Sequence, residues 1–362
     1  MLQEKLNDRR LPDLMTLNSG RQVATPDDWR AHRLEILDLV SREEYGCTPA
    51  APDAVRAEMD PLSARGDWAN AYAGKAVKQL IRLSFDAPGG TFTFPLTLIT
   101  PRCVPRAPAF VYMDFEADPP SGSVPVEEII DHGFALAAFC YRDITSDGPE
   151  PDGLAALYPR DEKTGWGKLG MWAFAASRVM DYLETRADID AARVCVTGHS
   201  RLGKAALWCG AQDERFAMTV ANDSGCSGAA ISRGKAGESI EIIAKRFPFW
   251  FCGNYQAWRG RDFEAPFDQH MVIALCAPRR VYVCSASLDD WADPESEFLG
   301  CAAASPAWRA LRTPGLITPD ALPETDVPLT EGGVCYHRRR GTHFYSRTDW
   351  LWQMAYRERC HV

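Results

Sequence analysis

The chain is predicted to fold as an α/β sandwich: a mostly parallel central sheet with helices on both faces. Three observations carry this. Apolar runs alternate with helix-patterned segments along most of the sequence, the pattern of strands joined by crossover helices. Several runs, such as PAFVYMDF (108–115) and FALAAFCY (134–141), are apolar nearly throughout, as strands covered on both faces are. In VCVTGHSRLGKAAL (194–207), an apolar run ends in a glycine-flanked turn, and an alanine-rich helical segment follows at once.

Taken in order, residues 26–45 read as an amphipathic helix, with Thr25 or Asp27 as its cap. Segments 80–87 and 91–100, separated by Pro-Gly-Gly, read as an antiparallel pair opening the sheet. Strand 108–115, a short helix over 126–133 and strand 134–141 follow. An irregular stretch rich in Asp, Pro and Gly (143–165) leads to a long helix over 166–185. After the strand–turn–helix at 194–207 comes a strand at 216–223 that ends in Asp223. Residues 224–278 break the rhythm with small, aromatic and charged residues and are expected to form an insertion. The alternation resumes with 270–275, a strand at 279–287, an Ala-rich helix near 295–304, a strand at 333–340 and a closing helix from about 348. One domain over 1–362 is expected, with a helical lead-in at 1–75.

Hydrophobic residues make up 46% and charged residues 25%, a globular balance. A net charge of −9 with no basic stripe argues against nucleic-acid binding, and Arg338-Arg-Arg340 reads as a solvated strand end. None of the 12 cysteines forms a Cys-x-x-Cys pair, and many sit within apolar runs, so no metal or redox centre is expected. The segment MLQEKLNDRRLPDLMTL lacks an apolar leader core, and no run approaches a membrane span. A cytoplasmic chain without membrane partners is expected, with a removed secretory leader as the alternative.

The turn at Gly198-His-Ser200-Arg-Leu-Gly203 has the context of a nucleophile elbow, which lifts a serine oxygen above the sheet edge. Its second glycine falls one place later than in Gly-x-Ser-x-Gly. Such a serine needs a histidine to take its proton and an acid to orient that histidine. His343 follows the last strand, in the chain order Ser…acid…His. His32, His132 and His270 sit in helical patterns, His337 within a strand and His361 at the terminus, while His199 sits badly on the turn. Two carboxylates compete as the acid: Asp223, and Asp289 in Ser-Leu-Asp-Asp-Trp. Arg201 offers its N–H, and a cation, to a developing oxyanion. Lys204, four residues after Ser200, shares the helix face toward the site. Trp166, Trp250, Trp258 and Trp291 flank it as candidate sugar-stacking rings.

Ser-Arg-x-Gly-Lys followed by ALWCGAQDERFAMTVANDSGCSGAA resembles the glucuronoyl esterase family of carbohydrate esterases and its bacterial relatives, often labelled acetyl xylan esterases. The resemblance runs over roughly 108–350. It implies an α/β-hydrolase fold and metal-free, cofactor-free cleavage of sugar esters. It implies Ser200 as nucleophile, Arg201 at the oxyanion, Lys204 and Trp291 at the sugar, and His343 as base. It points to both Asp223 and Asp289 as acid; Asp223 is preferred because its spacing from Ser200 equals that of the fungal acid. A sugar-contacting glutamine corresponds to Glu241, and a nearby glutamate is replaced around Phe247. Two fungal cysteines that form a disulfide beside the site are His199 and Phe344 here, in keeping with a reducing compartment. An extra carboxylate at Glu241 would oppose an anionic uronate product.

The expected function is therefore a serine esterase on carbohydrate esters, with an oligosaccharide ester as partner. The alternatives are an acetyl xylan esterase or deacetylase, a hydrolase of non-sugar esters, and a carbohydrate-binding protein on an inactive scaffold.

Overall fold

The computed structural model describes residues 1–360, so His361 lies outside the described residues. Nine strands build one sheet: β1 (Arg56–Met59), β2 (Ala76–Ala87), β3 (Gly90–Pro101), β4 (Ala107–Asp114), β5 (Ala135–Cys140), β6 (Ile189–His199), β7 (Met218–Asn222), β8 (Arg280–Ala286) and β9 (Val334–Arg339). Their order is β1-β2-β3-β5-β4-β6-β7-β8-β9. The first three run antiparallel to their neighbours, and the strands from β5 through β9 are parallel to one another.

Side chains alternate across the strands and feed two cores. From β4, Ala109, Val111 and Met113 join Val194 and Val196 of β6 on one face. Phe110 and Tyr112 join Leu136, Cys195 and Val220 on the other. The first face is covered by helices Lys168–Leu183, Arg201–Gln212 and Pro294–Ala310. The second is covered by Val126–Asp131 and Arg347–Arg359, which bring Ile129, Ile130, Trp350 and Met354. These are the three layers expected of a sheet apolar on both sides.

The helix read at 26–45 runs from Pro26 to Val40 and closes in a single wider turn, Ser41–Tyr45. Thr25 is its cap, its hydroxyl accepting from the N–H of Asp28 at 3.1 Å. The lead-in is not purely helical, because it contains β1. Arg-Ala-Glu-Met is exposed at every position and carries no alternation, so only its pairing with β2 defines it.

The insertion is ordered by the lead-in. It holds helix Ile240–Arg246, two tight turns (Pro248–Trp250 and Gly253–Trp258) and helix Gln269–Ala274. Cys252 N–H donates to the Glu44 carbonyl at 2.9 Å, and the Gln269 amide donates to both oxygens of the Glu44 carboxyl at 3.0 Å. Where Trp250 crosses the start of helix Lys168–Leu183, a Cβ on Gly167 would stand 2.0 Å from the Trp250 carbonyl oxygen. Only glycine permits that approach.

Candidate active site

Ser200 stands at the end of β6 with φ 57° and ψ −125°, a backbone state that costs a non-glycine residue about 1–3 kcal/mol. Neighbours enforce it. Ser200 N–H donates to the Asn222 carbonyl at 2.9 Å, and the turn is too tight for side chains on either flanking glycine. A Cβ at Gly198 would lie 2.2 Å from the Leu202 carbonyl oxygen, and one at Gly203 would lie 2.9 Å from that of Asn222. The displaced second glycine thus still serves the elbow, letting the helix pack on the end of β7.

His343, on the loop after β9, and Asp289, on the loop after β8, meet at 2.6 Å through Nδ1 and Oδ2. His343 shares with Ser200 a cavity of about 320 Å³. Asp289 is almost wholly buried, and its Oδ1 accepts from Ala292 N–H at 3.2 Å. Burial pushes its carboxyl up, yet the His343 hydrogen bond and charge outweigh this and hold it below the usual carboxylate range.

Of the two candidate acids, His343 is therefore hydrogen-bonded to Asp289, against the preference for Asp223. Asp223 closes β7 with φ 43°, and its Oδ2 accepts from Phe344 N–H at 3.2 Å and Arg339 Nη2 at 3.3 Å. Those donors turn it along the base of the His343 loop, and its Oδ1 is buried without a partner. Burial, with the Glu297 charge behind it, pushes this carboxyl well up, while Arg339 pulls the other way. Spacing from the serine could not disclose that Arg339 reaches across from β9.

His199 Nδ1 donates to the Asn222 side-chain oxygen at 2.6 Å. Arg201 is held by Asp147 and lies over the Trp250 ring, 5.0 Å from its centroid. Asp147 also accepts from the Trp250 indole N–H at 2.7 Å. Nothing in the irregular 143–165 stretch distinguished Asp147 from its neighbouring acids.

Lys204 is buried, its ammonium donating to the carbonyls of Ser224 and Cys226 at 2.6 Å and to Glu238 at 3.3 Å. Glu238 lines the cavity; Glu241 does not, pairing instead with Arg259 at 2.8 Å. The correction is one helical turn. Ser239 caps the helix, which leaves Glu238 before it, facing inward, and puts Glu241 on its outer first turn. The cap in Glu-Ser-Ile-Glu was the available signal. Trp250 and Trp291 line the cavity, Trp291 about half exposed, whereas Trp166 belongs to the core and Trp258 donates to Glu43.

A nucleophile elbow between the middle strands of such a sheet, facing a histidine–aspartate couple from the last two strands, defines a serine hydrolase of the α/β-hydrolase class. Comparison with known proteins narrows the class. Residues 84–312 match the family model described as glucuronyl esterase, fungi. Carbohydrate esterase MZ0003, from an unknown prokaryotic organism, is 34% identical over 385 residues, covering 94% of this chain and 87% of that protein. The 4-O-methyl-glucuronoyl methylesterase of Hypocrea jecorina (strain QM6a) is 30% identical over 316 residues, covering 83% of this chain and 62% of that protein. The solved glucuronoyl esterase from Solibacter usitatus superposes with a TM-score of 0.85 at 35% identity, over 96% of this chain and 97% of that one. The chain belongs to the glucuronoyl esterase family and is a carboxylic ester hydrolase acting on carbohydrate esters.

Proposed function

We propose that the chain hydrolyses glucuronoyl esters through an acyl-enzyme on Ser200. The Ser200 hydroxyl oxygen attacks the ester carbonyl carbon while His343 Nε2 takes its proton; Nδ1 stays bound to Asp289, which fixes the tautomer and steadies the imidazolium. Charge developing on the carbonyl oxygen meets the N–H of Arg201 and its guanidinium, pre-aimed by Asp147. The tetrahedral adduct expels the alcohol, which leaves with the proton from His343. A water, deprotonated by His343, then attacks the acyl carbon and releases the uronic acid and free Ser200. Lys204 and Glu238 would bind sugar hydroxyls, with Trp291 stacking on the ring. Glu241 lies outside the cavity, and the carboxylate that lines it instead, Glu238, has its charge offset by Lys204 at 3.3 Å, which lessens the opposition to a uronate product.

The observation that carries this reading is the 2.6 Å His343–Asp289 bond inside the cavity that holds Ser200. It is tested with Ser200→Ala on benzyl glucuronate, p-nitrophenyl acetate and acetylated xylo-oligosaccharide. Turnover of benzyl glucuronate should fall by about 10⁴–10⁶ with an unchanged circular dichroism spectrum. Near-normal turnover would overturn the assignment, and preference for the acetylated sugar would overturn the substrate. We infer further that the chain works in a reducing compartment. All 12 cysteines are free and ten are buried, so mass measurement without reductant should find thiols only.

A further inference from the structure

Three cationic side chains line the cavity, and two are already neutralised. Arg201 is paired with Asp147, and Lys204 with Glu238 at 3.3 Å. The cavity carboxylates are committed as well: Glu238 to Lys204, Asp223 to Arg339 at 3.3 Å, and Asp289 to His343. Arg246 remains. It is exposed, ends helix Ile240–Arg246 and lies over the Phe247 ring, 5.2 Å from its centroid. Among the described residues it has no carboxylate within ion-pair distance and no hydrogen-bond acceptor.

Charge at the helix C-terminus does not account for it, since the neighbouring Lys245 is exposed, lies outside the cavity and already supplies a cation to the last turn. A planar guanidinium seated on an aromatic face and open to the cavity is pre-organised for bidentate binding of a carboxylate. Building on the reading of Ser200 and His343 as a glucuronoyl esterase centre, we propose that Arg246 is a specificity residue that binds a second, free carboxylate of the substrate. The preferred substrate class is then a carbohydrate ester that stays anionic beside the ester it loses. That carboxylate sits either on a neighbouring uronosyl unit or on the departing alcohol.

Two matched substrate pairs separate these sources. The first pair is benzyl glucuronate against its 4-carboxybenzyl counterpart. The second is the methyl ester of a neutral-sugar-linked glucuronate against the monomethyl ester of a diuronide. In one pair the anionic member should show a kcat/KM advantage of about fivefold, expressed in KM, as fits an ion pair at a solvated rim. That ratio should fall to about one in Arg246→Gln and in about 1 M salt, where the screening length is about 3 Å, and should persist in part in Arg246→Lys. No advantage in either pair, or an advantage that survives Arg246→Gln, overturns the proposal. Failure of the wild-type protein to hydrolyse benzyl glucuronate at all would instead overturn the esterase reading beneath it.

Discussion

The imidazole of His199 lies 4.5 Å from that of His343, centroid to centroid, with the rings tilted by 44°. His199 is largely buried and His343 exposed, and two imidazolium ions at that separation repel each other. Burial first, and the nearby His343 second, pull His199 down to about 4. His199 is therefore neutral wherever His343 works, and it keeps its 2.6 Å bond to Asn222.

This has a consequence for acid stability. The unfolded chain protonates His199 near pH 6.5, whereas the native state does so only near 4. Between these values the unfolded state binds the extra proton, so stability is full above about pH 6.5 and falls as the pH drops toward 4. The loss from this group reaches about 2 kcal/mol by pH 5. Urea unfolding at pH 7.5 and pH 5 should show a smaller drop in His199→Gln than in the wild type. Equal drops would show that another group carries the acid sensitivity.

The two aspartates near His343 should separate cleanly. Asp289→Asn removes the anion behind the imidazole and should lower kcat by about 10³–10⁴. Asp223→Asn keeps an acceptor for Phe344 N–H and Arg339 and should lower kcat by less than about tenfold. Steady-state kinetics of both variants decide it, and the reverse ranking would return the acid's role to Asp223.

Lys204 and Glu238 are both almost fully buried, so each depends on the other. Lys204→Met strands the Glu238 carboxylate and should cost about 3–5 kcal/mol in urea unfolding. Adding Glu238→Gln to that variant should restore part of the loss. A purely additive double mutant would mean the pair does not interact.

Asp147 acts at one remove, through Arg201 and Trp250. Asp147→Ala frees the guanidinium and leaves the Trp250 indole N–H without its acceptor. The expected fall in kcat is about tenfold to a hundredfold, less than losing an oxyanion donor outright, with KM changing little. A change confined to KM would make Asp147 a binding residue instead.

What was legible in the sequence follows the physics of each element. The parallel strands declared themselves through apolar runs, and Ser200 through a turn whose glycines no other residue can replace. Chain order put His343 on the loop after the last strand, which is where it stands, four residues beyond the end of β9. Partners contributed from elsewhere were not legible. The orientation of Asp223 depends on Arg339, and that of Arg201 on an aspartate 54 positions earlier. β1 went unread because a fully exposed edge strand carries no burial pattern. Glu241 was misplaced by one helical turn, although Ser239 marked where that turn begins.

Ser287 N–H donates to the Arg339 carbonyl and Leu288 N–H to that of Gly341, both at 2.8 Å, stitching the loop of Asp289 to the loop of His343. Both loops hang from the last two strands, while Ser200 rides on β6, deep in the sheet. His343 and Asp289 are thereby tied to each other by main chain as well as by side chain, so a shift of either loop carries both residues together relative to Ser200.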